Sequence, residues 1–220
     1  MFTFEDLKKN PFIHEYVKQT ESYMKFLGFT DHGFGHVEVV AKRAAEVAKG
    51  AGLSARQQEL AAMAGYCHDM GNFLGRTQHH YWGGLLFGQT FQGSMDPEEL
   101  ATVMQAIVAH DKDEIKIPNL LAACLIIADK SDVRRSRVNN TAEDNRKNDI
   151  HDRLNYAVTA NQLVVDAKKK TITFKVKIDV NQAPVMEYFE IFSDRMEYSR
   201  KAAEALGMKF GLIINHFKLL

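Results

Sequence analysis

Imidazole and carboxylate side chains gather in the first 130 residues of this 220-residue chain: His36, the doublet His68–Asp69, the neighbours His79 and His80, His110, and Asp129. Six of the nine histidines fall between His32 and His110, a crowding that needs a chemical reason. Imidazole nitrogen and carboxylate oxygen are ligands for borderline and hard divalent ions such as iron, manganese and zinc. Three of these positions close apolar stretches, AAMAGYCHD, ATVMQAIVAHD and LLAACLIIAD. A strongly polar group at the end of a buried helix is costly unless it is paired or bound to metal. One such helix means little; three imply a shared polar focus inside a bundle.

The elements that must position these groups are mostly helical. Residues 5–27 read as helix broken at Pro11. A helix is expected from Phe34 to about Gly50, with Val39, Val40, Ala44 and Val47 inward. Ser54 and Gln57 make a capping box for a helix that turns Leu60, Ala64 and Cys67 inward and ends at His68–Asp69. Gly71 marks a turn, and residues 79–91 read as helix, with Trp82 and Phe87 as core. Asp96 caps the next helix, with Pro97 at its first position and Glu99 closing the box, and it runs to His110. Pro118 is expected to open the helix that leads into Asp129.

After Arg137 the texture changes. NNTAEDNRKND is polar and reads as a linker or exposed loop. Residues 162–166 and 171–178 predict a hairpin, because Ile172, Phe174, Val176 and Ile178 alternate with polar residues. A last long helix starts near Pro184, carries Val185, Phe189, Phe192 and Met196 at helical spacing, and is capped by Gly207. The expected fold class is mainly α, a helical bundle core with a small C-terminal α+β appendage. The division is a core over 1–137, a linker over 138–150, and an appendage of helix, hairpin and helix over 151–220.

Composition narrows the function classes. Apolar residues make up 45% and charged residues 25%, which fits a globular chain. Acidic and basic residues balance at 28 each, so no global field recruits nucleic acid or an anionic membrane. MFTFEDLKKN lacks a basic region followed by an apolar run, so no secretory signal is expected. The apolar stretch from Leu120 to Ala128 is too short to span a bilayer. Cys67 and Cys124 sit in apolar helical patterns and read as reduced core thiols, which makes cytoplasmic the default location.

The order His, His-Asp, His, His, Asp resembles the HD-domain superfamily of metal-dependent phosphohydrolases. The matching pieces are HVEVVAKRAAEVA from His36, HDMGN from His68, HHYWGG from His79, IVAHD ending at Asp111, and ADKSD from Ala128, spanning roughly residues 30–137. A five-part ordered pattern is far more specific than a lone His-Asp pair. The resemblance implies an HD-type helical bundle with His36, His68, Asp69 and Asp129 around one metal. It implies His79 and His110 around a second, with Asp69 bridging. His79 is preferred to His80 because it precedes Gly83–Gly84 by the family's spacing. The implied cofactors are two divalent ions, iron or manganese first, with zinc, magnesium, nickel or cobalt as further options. Metal ions of this kind acidify a bound water, so hydrolysis of a phosphate ester or anhydride would need no protein nucleophile, and Asp69 would orient the hydroxide.

Lys130, Arg134 and Arg137, spaced i, i+4, i+7, would share a helical face beginning beside a proposed ligand. They read either as phosphate contacts, Lys130 foremost and catalytic, or as a solvated helix end suited to the dipole. Arg76 is a further candidate for substrate binding. His32 could share the face of His36 as a substrate contact or outer proton carrier, or serve as a cap or solvated loop residue. Asp111 and Asp31 read as outer partners or surface groups, and His14, His151 and His216 as structural. Two departures from the family pattern matter. Asn72 stands where many relatives carry lysine or arginine, and no glycine-tyrosine-proline segment or tandem histidine pair follows His110, which disfavours the HD-GYP branch.

The function expected on these grounds is a metal-dependent phosphohydrolase acting on a small phosphorylated molecule such as a nucleotide. Neither nucleic acid nor membrane is expected as partner, while a homodimer remains open. An HD-type di-iron oxygenase and a non-catalytic nucleotide-sensing module are the alternatives. An oxygenase would need oxygen and a mixed-valent iron pair, and a sensor would carry an eroded ligand set.

Overall fold

The computed structural model describes residues 1–111, 116–139 and 150–219. Most of the expected linker, residues 140–149, lies outside them. Among the described residues nine α-helices precede or flank a four-stranded sheet: α1 (Phe4–Lys8), α2 (Pro11–Phe26), α3 (Phe34–Gly50), α4 (Ala55–Cys67), α5 (His79–Phe91), α6 (Pro97–Ala109), α7 (Leu120–Lys130), α8 (Ile150–Ala157), β1 (Val158–Asp166), β2 (Thr171–Ile178), α9 (Val185–Ala205), β3 (Lys209–Ile214) and β4 (Phe217–Lys218). The chain is mainly helical with a small C-terminal sheet.

Helix α7 is the centre of the bundle. Every residue from Leu121 to Ala128 is buried, as an all-round apolar helix requires, and α3, α4, α6 and α9 pack around it. Its start differs from the expectation at Pro118. Asn119 caps it in an extended conformation and accepts from the Ala122 N–H at 2.9 Å, so the helix begins two residues later. The inner face of α3 runs through His36, Val37, Val40, Ala44 and Val47, with Val39 only half-buried. Ser54 and Gln57 form the capping box of α4. Asp96 caps α6, but the box there is not closed by Glu99, whose carboxylate is taken by Arg56 at 2.8 and 2.5 Å.

Helices α3 and α4 approach closely at Gly65, where a Cβ would lie 2.8 Å from the Ala41 Cα. Only glycine allows that spacing, and it brings the first turn of α3 beside the end of α4. Five polar positions thereby converge: His36 in the first turn of α3, His68 after α4, His79 at the start of α5, His110 after α6, and Asp129 in the last turn of α7.

The sheet has the order β1-β2-β3-β4. The expected hairpin is present with a longer first strand, β1 pairing antiparallel with β2. Ile172, Phe174, Val176 and Ile178 are the buried residues of β2, so the period-two pattern is met. Strands β3 and β4 were not expected. β3 lies parallel to β2, an arrangement that needs a crossover, and α9 supplies it. Gly207 follows α9 with φ +67° and turns the chain into β3. Helix α9 serves two cores. Tyr188, Phe192 and Met196 pack with Phe174, Val176 and Leu212, while Tyr198, Ala202 and Ala203 belong to the cluster built on α7. No helix among the described residues is long and apolar enough to cross a membrane.

Candidate metal centre

Each of four histidines is fixed by a hydrogen bond from the nitrogen turned away from the centre. The Nδ1 of His36 meets Asp132 Oδ2 at 2.8 Å. The Nδ1 atoms of His68, His79 and His110 meet the carbonyls of Gly65, Arg76 and Ile107 at 2.8, 2.8 and 2.6 Å. Acceptors at all four positions favour a proton on Nδ1 and turn Nε2 inward, where it presents a lone pair whenever the ring is neutral. Those lone pairs face one another, with His36 Nε2 3.2 Å from His68 Nε2, and His79 Nε2 3.2 Å from His110 Nε2. Two lone pairs cannot hydrogen-bond, so rings at this spacing require a proton or a metal ion between them.

The carboxylates complete two groups. His36 Nε2 lies 3.4 Å from Asp69 Oδ2 and 3.5 Å from Asp129 Oδ1. His68 Nε2 lies 3.2 and 3.7 Å from the same two atoms. Ligands about 2.0–2.2 Å from a tetrahedral ion stand about 3.3–3.6 Å apart, close to the separations among His36, His68 and Asp69. The other oxygen of Asp69 serves the second group: Oδ1 is 3.2 Å from His79 Nε2 and 3.7 Å from His110 Nε2. Ligand atoms of His68, His110 and Asp129 also lie within 4.8 Å of one another, so the groups form one continuous cluster. These buried histidines and aspartates could hold metal ions.

Electrostatics agree with a site built for positive charge. Burial would depress His68, but Asp69 and Asp129 overcome it and hold its pKa up at about 10. Burial pushes His110 down to about 4. Burial would raise Asp69, yet the histidines around it keep it well below the usual carboxylate range, and Lys130 with His36 and His68 does the same for Asp129.

The centre opens into a cleft of about 660 Å³ whose lining includes Asp69, His79, His110, Lys130, Arg76 and Arg195. Lys130 Nζ bonds Asp129 Oδ2 at 2.8 Å and lies 3.5 Å from Asp111 Oδ1. Asp111 also faces Arg76 at 3.8 Å, and Lys130 beside it holds its carboxyl below the usual range against burial. Asn72, buried three residues after Asp69, donates to Asp69 Oδ1 at 3.0 Å and accepts from Arg76 at 3.2 Å. It thus orients the carboxylate shared by the two groups and connects it to a cation.

Other sequence candidates are placed differently. His80 is buried in the same first turn of α5 as His79 but belongs to none of the converging groups among the described residues. His32 lines the cleft with its Nδ1 2.5 Å from the Thr30 carbonyl, and burial lowers its pKa well below 6.5, so it is neutral. The helical stripe expected through Lys130, Arg134 and Arg137 is not formed. Helix α7 ends at Lys130 and the chain extends at Arg134. Arg134 bonds Asp132 and the Gly35 carbonyl at 2.8 and 2.6 Å and does not line the cleft. Arg137 lines it but spends its donors on the carbonyls of Asp31 and Asp132.

Sequence reasoning overlooked Asp132 and Arg195. Asp132, fully buried behind His36, is signalled only as a second acidic residue three positions after Asp129. Arg195 stands between Phe192 and Met196, the apolar spacing that defined α9, and nothing local distinguishes it from a solvated charge. Comparison with protein-family models and with curated proteins gives no match for this chain.

Proposed function

We propose that this protein is a metal-dependent phosphohydrolase of the HD type, cleaving a phosphate ester or anhydride of a small molecule such as a nucleotide. One observation carries the proposal. Asp69 turns Oδ2 to His36 and His68 and Oδ1 to His79 and His110, the geometry of a carboxylate shared by two ions. With Asp129 the set is two aspartates and four histidines, which suits iron or manganese and also admits zinc, magnesium, nickel or cobalt. A divalent pair supplies an acidified water and a Lewis acid for a phosphoryl oxygen.

The chain's own residues do the rest. Asp69 holds the two histidine pairs in register and accepts a hydrogen bond from Asn72, which fixes its rotation. Asp132 keeps the proton of His36 on Nδ1, so its Nε2 faces the centre. Lys130 has two of its three donors directed at Asp129 and Asp111 and one left for a phosphoryl oxygen. Arg76 adds positive charge to the wall of the cleft, and His32 contributes a neutral imidazole to it.

The test is hydrolysis by protein loaded with manganese or ferrous iron without oxygen, on nucleotides, dinucleoside polyphosphates and generic phosphodiesters. Product release that disappears in Asp69→Ala supports the proposal. No release from any of these, with two metals bound, overturns it; oxygen-dependent turnover by the iron form would then point to an oxygenase.

A further inference from the structure

We infer that Arg195, carried by the C-terminal helix α9, is an anion-binding residue of the metal-centre cleft and holds phosphoryl oxygens of the substrate. The inference rests on the phosphohydrolase proposal for the identity of the anion. Its structural basis is separate.

Four cations line the cleft, and three of them have carboxylate, amide or carbonyl partners. Lys130 bonds Asp129 and approaches Asp111, Arg76 bonds Asn72 and pairs with Asp111, and Arg137 bonds two main-chain carbonyls. The Arg195 guanidinium has no carboxylate or carbonyl partner among the described residues. Its contact is with the Phe192 ring, whose centroid lies 4.8 Å from Cζ. Of the acidic residues that line the cleft beside it, Glu197 is paired with Lys201 at 3.0 Å and Asp194 makes no ion pair with Arg195. Burial, with Arg137 and Arg76, draws the pKa of Arg195 down while the carboxylates of Asp129 and Asp111 act to raise it.

Arg195 is half-buried on the wall of the cleft, and its planar fork matches two oxygens of a phosphoryl group. Its position is also held firmly. Three residues before it, one helical turn away, Phe192 is packed in the sheet-side core; three residues after it, Tyr198 donates to the carbonyl of Ala109, next to His110, at 2.5 Å. The same helix is thus tied to the sheet on one side and to a metal-centre residue's neighbour on the other. Rigid placement of the fork makes a ligand contact worth more, because little freedom is lost when the ligand arrives.

The probe is inorganic phosphate, titrated calorimetrically into full-length manganese-loaded protein. Arg195→Met, which keeps the apolar stem against Phe192, is expected to weaken phosphate binding about tenfold or more, as loss of a charge-assisted bidentate contact implies. Arg195→Lys should recover only part, since an ammonium cannot present the fork. In parallel, phenylglyoxal should modify Arg195 of the wild-type protein, and phosphate should protect it; this reads the same contact without any variant. Equal phosphate affinity in Arg195→Met and wild type, no phosphate binding by the wild type, or modification indifferent to phosphate would each overturn the inference. Phosphate binding needs no turnover, so a protein that binds phosphate through Arg195 yet hydrolyses nothing would sink the phosphohydrolase proposal alone.

Discussion

Asp132 Oδ2 accepts the Nδ1 proton of His36 at 2.8 Å, and neither side chain reaches solvent. Asp132 is itself gripped by Arg134 at 2.8 Å and faced by Arg137 at 3.9 Å, which with His36 keeps it ionised despite its burial. A carboxylate behind a metal-binding imidazole sets the tautomer and raises ligand basicity, and its removal commonly weakens binding about 10–100-fold. Asp132→Ala is therefore expected to lose metal to a chelator at concentrations about 10–100-fold lower than wild type. Unchanged affinity with an unchanged thermal midpoint would reduce the pair to packing.

Asp69 offers a separate carboxylate oxygen to each of the two histidine pairs. Asp69→Ala removes an oxygen from both, so its bound metal should fall from two per chain toward zero. His110→Ala leaves His36, His68, Asp69 and Asp129 in place and should leave about one metal. Elemental analysis of the purified variants checks both, and two metals retained in Asp69→Ala would end the shared-carboxylate assignment.

Much of this centre was legible because its residues lie at helix ends, where an apolar run stops abruptly at a polar group. His68, His110 and Asp129 each follow such a run, and caps such as Ser54 and Asp96 placed the helices that carry them. What local pattern cannot show is pairing at a distance. Strand β3 is a six-residue segment, apolar after Lys209, whose identity depends on β2, more than thirty residues earlier in the chain. Arg195 reaches the cleft only because α9 crosses over between those strands. Arg134 and Arg137 failed as a stripe because Lys130 ends its helix, and both are drawn to Asp132, a long-range partner of His36.

Gly71 and Gly207 predict different losses for the same substitution. Gly71 has an ordinary helical φ of −81°, but a Cβ there would lie 2.2 Å from the His79 carbonyl oxygen and 2.4 Å from the Gly83 nitrogen. Those are backbone atoms of α5, so Gly71→Ala must displace the helix that carries His79. It is expected to cost about 1–3 kcal/mol or more and to loosen metal at the second group. Gly207 has open space around it and φ +67°, so Gly207→Ala should cost about 1–2 kcal/mol and leave metal content intact. Chemical denaturation with metal analysis distinguishes them; equal metal content in both would show that α5 accommodates the methyl group.

Metal and proton compete for the first group, and the pH window follows from His68. In the metal-free protein Asp69 and Asp129 raise its pKa from 6.5 to about 10. A raised pKa means the folded state binds the proton more tightly, so this contribution to stability is full below pH 6.5 and fades as pH climbs to about 10. Metal binding needs the neutral imidazole and must expel that proton, so the added stability of the metal-loaded protein should grow across the same interval. His110, pushed down to about 4 by burial, is already neutral there and adds nothing to the slope. The difference in Tm between loaded and metal-free protein is expected to widen steadily from pH 6.5 to pH 9. Calorimetry in buffers of different ionisation enthalpy should find protons released on binding at pH 7. A difference flat in pH, with no proton release, would mean that His68 is neutral before metal arrives and that its aspartate neighbours do not charge it.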